Sequence, residues 1–190
     1  MKNVRAIRGL ALTSLASLGL IAVTPAFADS EISTGANAEA SASVDFRVII
    51  PQFIRFQVGN ATAGNVDVVE FDVANPNSGA PVGRTNGGAL AVELLGNVGD
   101  IQIEADTNTT DLEDGSLPTA QTISWGEIDT VSSNANLGAP DLGTSSPVTV
   151  TPTAGRIVNR STTWSYEYAN SALVGAGTYE GTVTYTASAP

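Results

Sequence analysis

Residues 36–50 read ANAEASASVDFRVII, and their alternation decides the fold. Ala36, Ala38, Ala40, Ala42, Val44, Phe46, Val48 and Ile50 take every even position. Asn37, Glu39, Ser41, Ser43, Asp45 and Arg47 take the odd ones, with Ile49 the apolar exception. Successive side chains of a strand point to opposite faces, so a period of two sustained over fifteen residues predicts a strand with one buried face. Most strands run about 5–6 residues, so this one has length for two strands' worth of pairing. Its apolar face needs a groove, either within its own sandwich or in a neighbouring copy.

Downstream, Pro51 breaks the run, and Ile54, Phe56 and Val58 share one face of a second strand. A third is expected over Val66–Val73, with Val69, Phe71 and Val73 inward. Asn-Pro, Ser-Gly and Asn-Gly-Gly make Ala74–Gly88 a loop. Short strands are expected at Ala89–Leu95, Asp100–Ala105, Thr122–Ile128 and Val148–Thr151. Asp106–Pro118 reads as an acidic loop and Asp129–Pro147 as irregular chain. Arg156–Tyr168 alternates Trp164, Tyr166 and Tyr168, and Thr178–Ala189 alternates Tyr179, Val183, Tyr185, Ala187 and Ala189 against threonines. No helical periodicity of useful length appears after residue 28. Roughly eight to ten strands with frequent turns predict an all-β chain, an Ig-like β-sandwich in the broad sense.

Upstream, Lys2, Arg5 and Arg8 precede an apolar stretch from Leu10 to Val23, and Ala26-Phe27-Ala28 supplies a small-residue cleavage site. This is the pattern of a secretory signal peptide over residues 1–28. The stretch falls short of the roughly 18–20 apolar residues that span a bilayer. The expected organisation is a signal peptide (1–28), an N-terminal extension or donor strand (29–43) and a β-sandwich domain (44–190). The chain is expected to be secreted, in the periplasm in transit and then extracellular or at the cell surface.

Three of the eight basic residues leave with the signal, and the remaining five against 19 acidic ones give the mature chain a net charge of −14. Such a surface repels nucleic acid and anionic lipid heads. Cysteine and histidine are absent. Thiol nucleophiles, histidine bases, His-dependent triads and His or Cys zinc sites are therefore excluded, and no cofactor, catalytic residue or resident metal is expected.

Three constellations carry chemistry on paper. Asp106, Asp111, Glu113 and Asp114 offer oxygen ligands of the kind calcium takes. The EF-hand spacing fails, with Asp111 at the sixth position from Asp106 and Leu117 at the twelfth, and a solvated loop is the simpler reading. Glu127 and Asp129 pair two carboxylates near Trp125, as glycosidases do at roughly 5–10 Å, but a solvent-facing pair has the same spacing. Trp125 and Trp164 serve either as a sugar-stacking platform or as core anchors. Asn60, Asn108 and Asn159 head N-glycosylation triplets, which arise by chance in a chain rich in Asn and Thr.

The ending Gly175-Ala-Gly-Thr-Tyr-Glu-Gly-Thr-Val-Thr-Tyr-Thr186 resembles the final strand of chaperone–usher pilus subunits, particularly the archaic type related to spore coat U proteins. Pilins carry a glycine fourteen residues from the C-terminus, and Gly177 stands there in this chain. The chain departs from the pattern in lacking a disulfide and in ending Ala189-Pro190 without a penultimate aromatic. Tyr179, Val183, Tyr185, Ala187 and Pro190 also follow the outline of WxL cell-surface domain ends, without their Trp and Leu. The pilin resemblance implies an incomplete sandwich whose missing strand comes from the N-terminal extension of the next subunit. Ala36, Ala38, Ala40, Ala42, Val44 and Phe46 are then donor-strand contacts, and Tyr179, Val183 and Tyr185 are contacts on the C-terminal strand. The implied partners are further copies of the chain, a periplasmic chaperone and an outer-membrane usher. The function expected is a structural subunit of an extracellular fibre or pilus. The alternative is a monomeric secreted module that binds glycan or cell wall. Amino-terminal sequencing of the exported protein is expected to begin at Asp29, and a start at Met1 would remove the signal-peptide assignment.

Overall fold

The computed structural model describes residues 31–60, 66–115 and 121–190 and divides the chain into two units, Met1–Ile49 and Ile50–Pro190. The signal segment 1–28 lies outside the described residues. In the first unit the chain turns at Gly35–Asn37, where the Ala38 amide donates to the Gly35 carbonyl at 3.3 Å. Residues 31–49 form no strand, and every one of them is exposed.

That outcome corrects the expectation of a strand over Ala36–Ile50. Alternation records which faces a groove would meet, but a strand exists only where a ladder partner satisfies its backbone. No such partner stands beside this stretch among the described residues.

The second unit is antiparallel β throughout. Its strands are β1 (Ile54–Val58), β2 (Val82–Gly83), β3 (Leu90–Gly96), β4 (Ile101–Thr107), β5 (Asp111–Glu113), β6 (Thr122–Ser124), β7 (Ile128–Ser132), β8 (Val148–Val150), β9 (Val158–Tyr168) and β10 (Val183–Ser188). Strand β9 organises the larger sheet. One edge pairs with β3, from Gly96 opposite Val158 to Leu90 opposite Trp164, and continues against β2. Its other edge pairs with β7, and β1 closes on the far side of β3. A second sheet runs β10-β4-β8, and β5-β6 form a small ribbon.

The two larger sheets share one core because their alternating residues meet there. Val92 and Leu94 from β3, Ile101 and Ile103 from β4, and Val158 and Trp164 from β9 are all fully buried. Each large apolar side chain contributes about 1.5–3 kcal/mol by leaving water. Leu137 joins them from a 3-10 turn at Ala135–Leu137, and its carbonyl accepts from Trp164 Nε1 at 3.2 Å.

Tertiary pairing overrides local pattern in four further places. Val66–Val73 forms no strand, yet Val69, Phe71 and Val73 still pack on the core. Its backbone is held by side chains of the loop before β3: Arg84 Nη2 and Asn86 Nδ2 both donate to the Val68 carbonyl. The strand expected over Thr122–Ile128 splits at a 3-10 turn, Trp125–Glu127, capped by Ser124 accepting from the Gly126 amide at 3.2 Å. Ile128–Ser132, mostly expected as irregular chain, becomes β7 because the long edge of β9 recruits it. The last strand starts only at Val183. Before it, a Cβ on Gly181 would overlap the Trp125 ring, so the tail passes there only as glycine.

Trp164→Ala is expected to cost about 3–5 kcal/mol of unfolding free energy, read by urea denaturation.

Candidate functional site

The candidate site is the flank where the two larger sheets end side by side. Strand β1 pairs only with β3, and β10 pairs only with β4 among the described residues. Both edges lean on the same indole. The Phe56 ring lies 6.4 Å from that of Trp164, and the Tyr185 ring stands edge-on to it at 5.2 Å. The free edge of one sheet is therefore close to the free edge of the other.

Burial marks this flank as incomplete. The inward apolar side chains of β4 and β9 are buried, whereas Ile54, Phe56 and Val58 on β1 and Val183, Tyr185 and Ala187 on β10 are only half-buried. They face the core but have no neighbour on their outer side. An edge strand in this state presents a row of free amides and carbonyls beside a partly wet apolar face. Thr184, Thr186 and Ser188 face outward and are exposed, which keeps the outer face of β10 polar.

Of the residues expected at this contact, Val183 and Tyr185 sit on the inner face of β10. Tyr179 does not. It lies in the turn before β10, where its hydroxyl donates to the Gly175 carbonyl at 2.9 Å. Gly177 lies against the buried Asp114, whose carboxylate occupies the space a Cβ would need. Sequence reading missed Ile54, Phe56 and Val58 as site residues. Their alternation marks a strand but not which of its edges stays open.

Ala36, Ala38, Ala40, Ala42, Val44 and Phe46 belong to the first unit and are exposed. Val44 is 66% exposed, Phe46 90%, Val48 83% and Ile50 74%, values far from any buried face.

The other constellations resolve into structural roles. Trp125 and Trp164 are 4% and 0% exposed, and their Nε1 groups donate to the carbonyls of Thr109 and Leu137. Neither presents a ring face for a sugar to stack on. Glu127 accepts from the amide and hydroxyl of Ser171, at 3.0 and 2.5 Å, and ties the turn after β9 to the start of β7. Asp111 and Glu113 lie in β5, and Asp114 is buried at its end. Among the described residues no group of three or more acidic side chains is arranged to hold a metal ion. Among them, too, no helix is long and apolar enough to cross a membrane. Comparison with protein-family models, curated proteins and solved structures finds no match to this chain.

The Tyr185 hydroxyl meets that of Tyr166 at 3.2 Å beneath the flank. Burial raises the Tyr185 pKa, and the neighbouring Tyr166 raises it further. Burial likewise raises that of Tyr166, partly offset by the bond from Tyr185. Both stay protonated in the native state above the usual value of 10.0, where an unfolded tyrosine ionises. Their contribution to stability is present in full below pH 10 and declines as pH rises beyond it. The thermal midpoint is expected to fall above about pH 10, and Tyr166→Phe with Tyr185→Phe to flatten that decline.

Proposed function

We propose that this chain is a structural subunit of an extracellular fibre: an Ig-like β-sandwich whose open flank at β1 and β10 receives the Ala36–Ile50 stretch of the next copy. The observation that carries this reading is a pair of complementary deficits. One unit of the chain has an apolar alternating stretch with no ladder partner. The other has two adjacent edge strands whose inner side chains are only half covered. A strand added to β10 would satisfy its outer backbone groups and lay one apolar face over Phe56, Tyr185 and Ala187.

The magnitude suffices for a stable polymer. Burying Val44, Phe46, Val48 and Ile50 at about 1.5–3 kcal/mol each contributes about 6–12 kcal/mol before the costs of association. The alanines at 36, 38, 40 and 42 suit shallow positions in the groove. One subunit's donor filling the next subunit's groove is a heterologous contact, and such contacts propagate into fibres. During export the same exposed surfaces require cover, which is the role of a periplasmic chaperone handing subunits to an outer-membrane usher. The protein acts by assembly, with no catalytic step. The alternative of a monomeric glycan-binding module has lost its aromatic platform, since both tryptophans are buried.

The mature chain is expected to form filaments visible by electron microscopy, with slowed hydrogen exchange along Val183–Ser188. Phe46→Asp with Val48→Asp is expected to leave it monomeric. A wild-type chain that stays monomeric at high concentration, or a doubly substituted chain that still polymerises, would overturn the reading.

A further inference from the structure

The alternating run 36–50 is joined to β1 by three residues, Pro51-Gln52-Phe53. The groove nearest to the run along the chain is therefore the flank of its own copy. A tethered segment meets its own site at a high effective concentration and fills it before any neighbour's, unless the linker cannot span the path. Yet residues 36–50 are exposed throughout, and the cause lies in the joint.

Asn97, the residue after β3, grips that joint at both ends. Its Oδ1 accepts from the Phe53 amide at 2.8 Å, and its Nδ2 donates to the Pro51 carbonyl at 2.8 Å. Its own amide donates to the Phe53 carbonyl at 3.3 Å. The β1–β3 ladder ends where Ile54 faces Gly96, so these bonds carry the pairing three residues further, partly with a side chain in place of a strand. Gly96 lets the joint sit this close: a Cβ there would lie 3.2 Å from the Phe53 carbonyl oxygen and 2.8 Å from the Ile101 side chain. Residues 50–53 accordingly contain no turn, and the chain enters β1 without reversing. The residue types close the remaining route. A two-residue hairpin loop needs positive φ at its first central position, which the ring of Pro51 forbids and Gln52 disfavours. A longer loop has to release Pro51 or Phe53 from Asn97, or consume the bulky residues of the run itself.

We propose that Asn97 is the positioning residue that makes strand addition intermolecular: by holding Pro51 and Phe53 it denies the run its own flank and leaves the run for a second copy. This rests on the fibre reading for the groove concerned, and it adds which copy fills that groove. A hinge too short and too firmly held to fold back is the general condition for exchange between identical chains. Run and groove stay complementary within one chain, so freeing the hinge converts a polymer subunit into a closed monomer.

The experiment follows hydrogen exchange along Val183–Ser188 in the chain from Asp29, kept dilute so that filaments do not form. Wild type is expected to exchange there as an open edge. Asn97→Ala, and separately a flexible insertion of about six Gly and Ser residues between Ile50 and Pro51, are each expected to slow that exchange about tenfold and to stay monomeric when concentrated. Loosening of the fold alone would speed exchange, so a slowing reads fold-back. Adding Phe46→Asp to Asn97→Ala is expected to abolish the slowing. Asn97→Asp keeps the acceptor for Phe53 and loses the donor to Pro51. It is expected to slow exchange less, in the same direction, and it decides the matter if Asn97→Ala does not fold. An Asn97 variant that exchanges and polymerises like wild type overturns the proposal, as does a wild-type monomer whose β10 is already protected. Protection gained by the insertion alone assigns the block to joint length and likewise overturns the part of Asn97. If wild type forms filaments and no variant gains protection, the fibre reading stands and Asn97 falls. If wild type never forms filaments yet Asn97→Ala gains protection, the fibre reading falls and Asn97 stands.

Discussion

Both large sheets converge on the indole of Trp164, and the unit from Ile50 onward depends on that contact. The ring lies in the middle of the core, held by the Leu137 carbonyl and touched by Phe56 from one sheet and Tyr185 from the other. The chain has no cysteine, so no covalent bond shares the work. Two sheets without a covalent link stay in register because bulky, directional side chains interlock across the gap. Trp164 is where rings from both sheets meet, and the open flank begins at its edges.

The same packing explains why the flank is open. Strands β3, β4 and β9 have neighbours on both edges, and their inward apolar residues other than Leu90 are dry. Strands β1 and β10 have one neighbour each, so their inward side chains keep part of their surface in water. An exposed edge of this kind is a hazard unless something specific covers it. In the proposed fibre the hazard becomes the joint. The polar outer residues of β10 and the large negative charge then serve to discourage pairing with anything else.

Much of this was legible in residues alone. The alternation of Trp164, Tyr166 and Tyr168, the short strands around Gly96 and the apolar residues of β1 and β10 all announced an antiparallel β chain, because the pleat forces a period of two wherever one face is buried. Composition alone removed histidine and thiol chemistry. Partners were not legible. Ala36–Ile50 and Val66–Val73 carry strand patterns yet form no strand, and Ile128–Ser132 becomes one, because a ladder is made by what lies beside a segment. The burial of both tryptophans was likewise settled by residues distant in the chain. A sequence fixes which face of a segment shuns water; only the folded neighbours decide what, if anything, covers it.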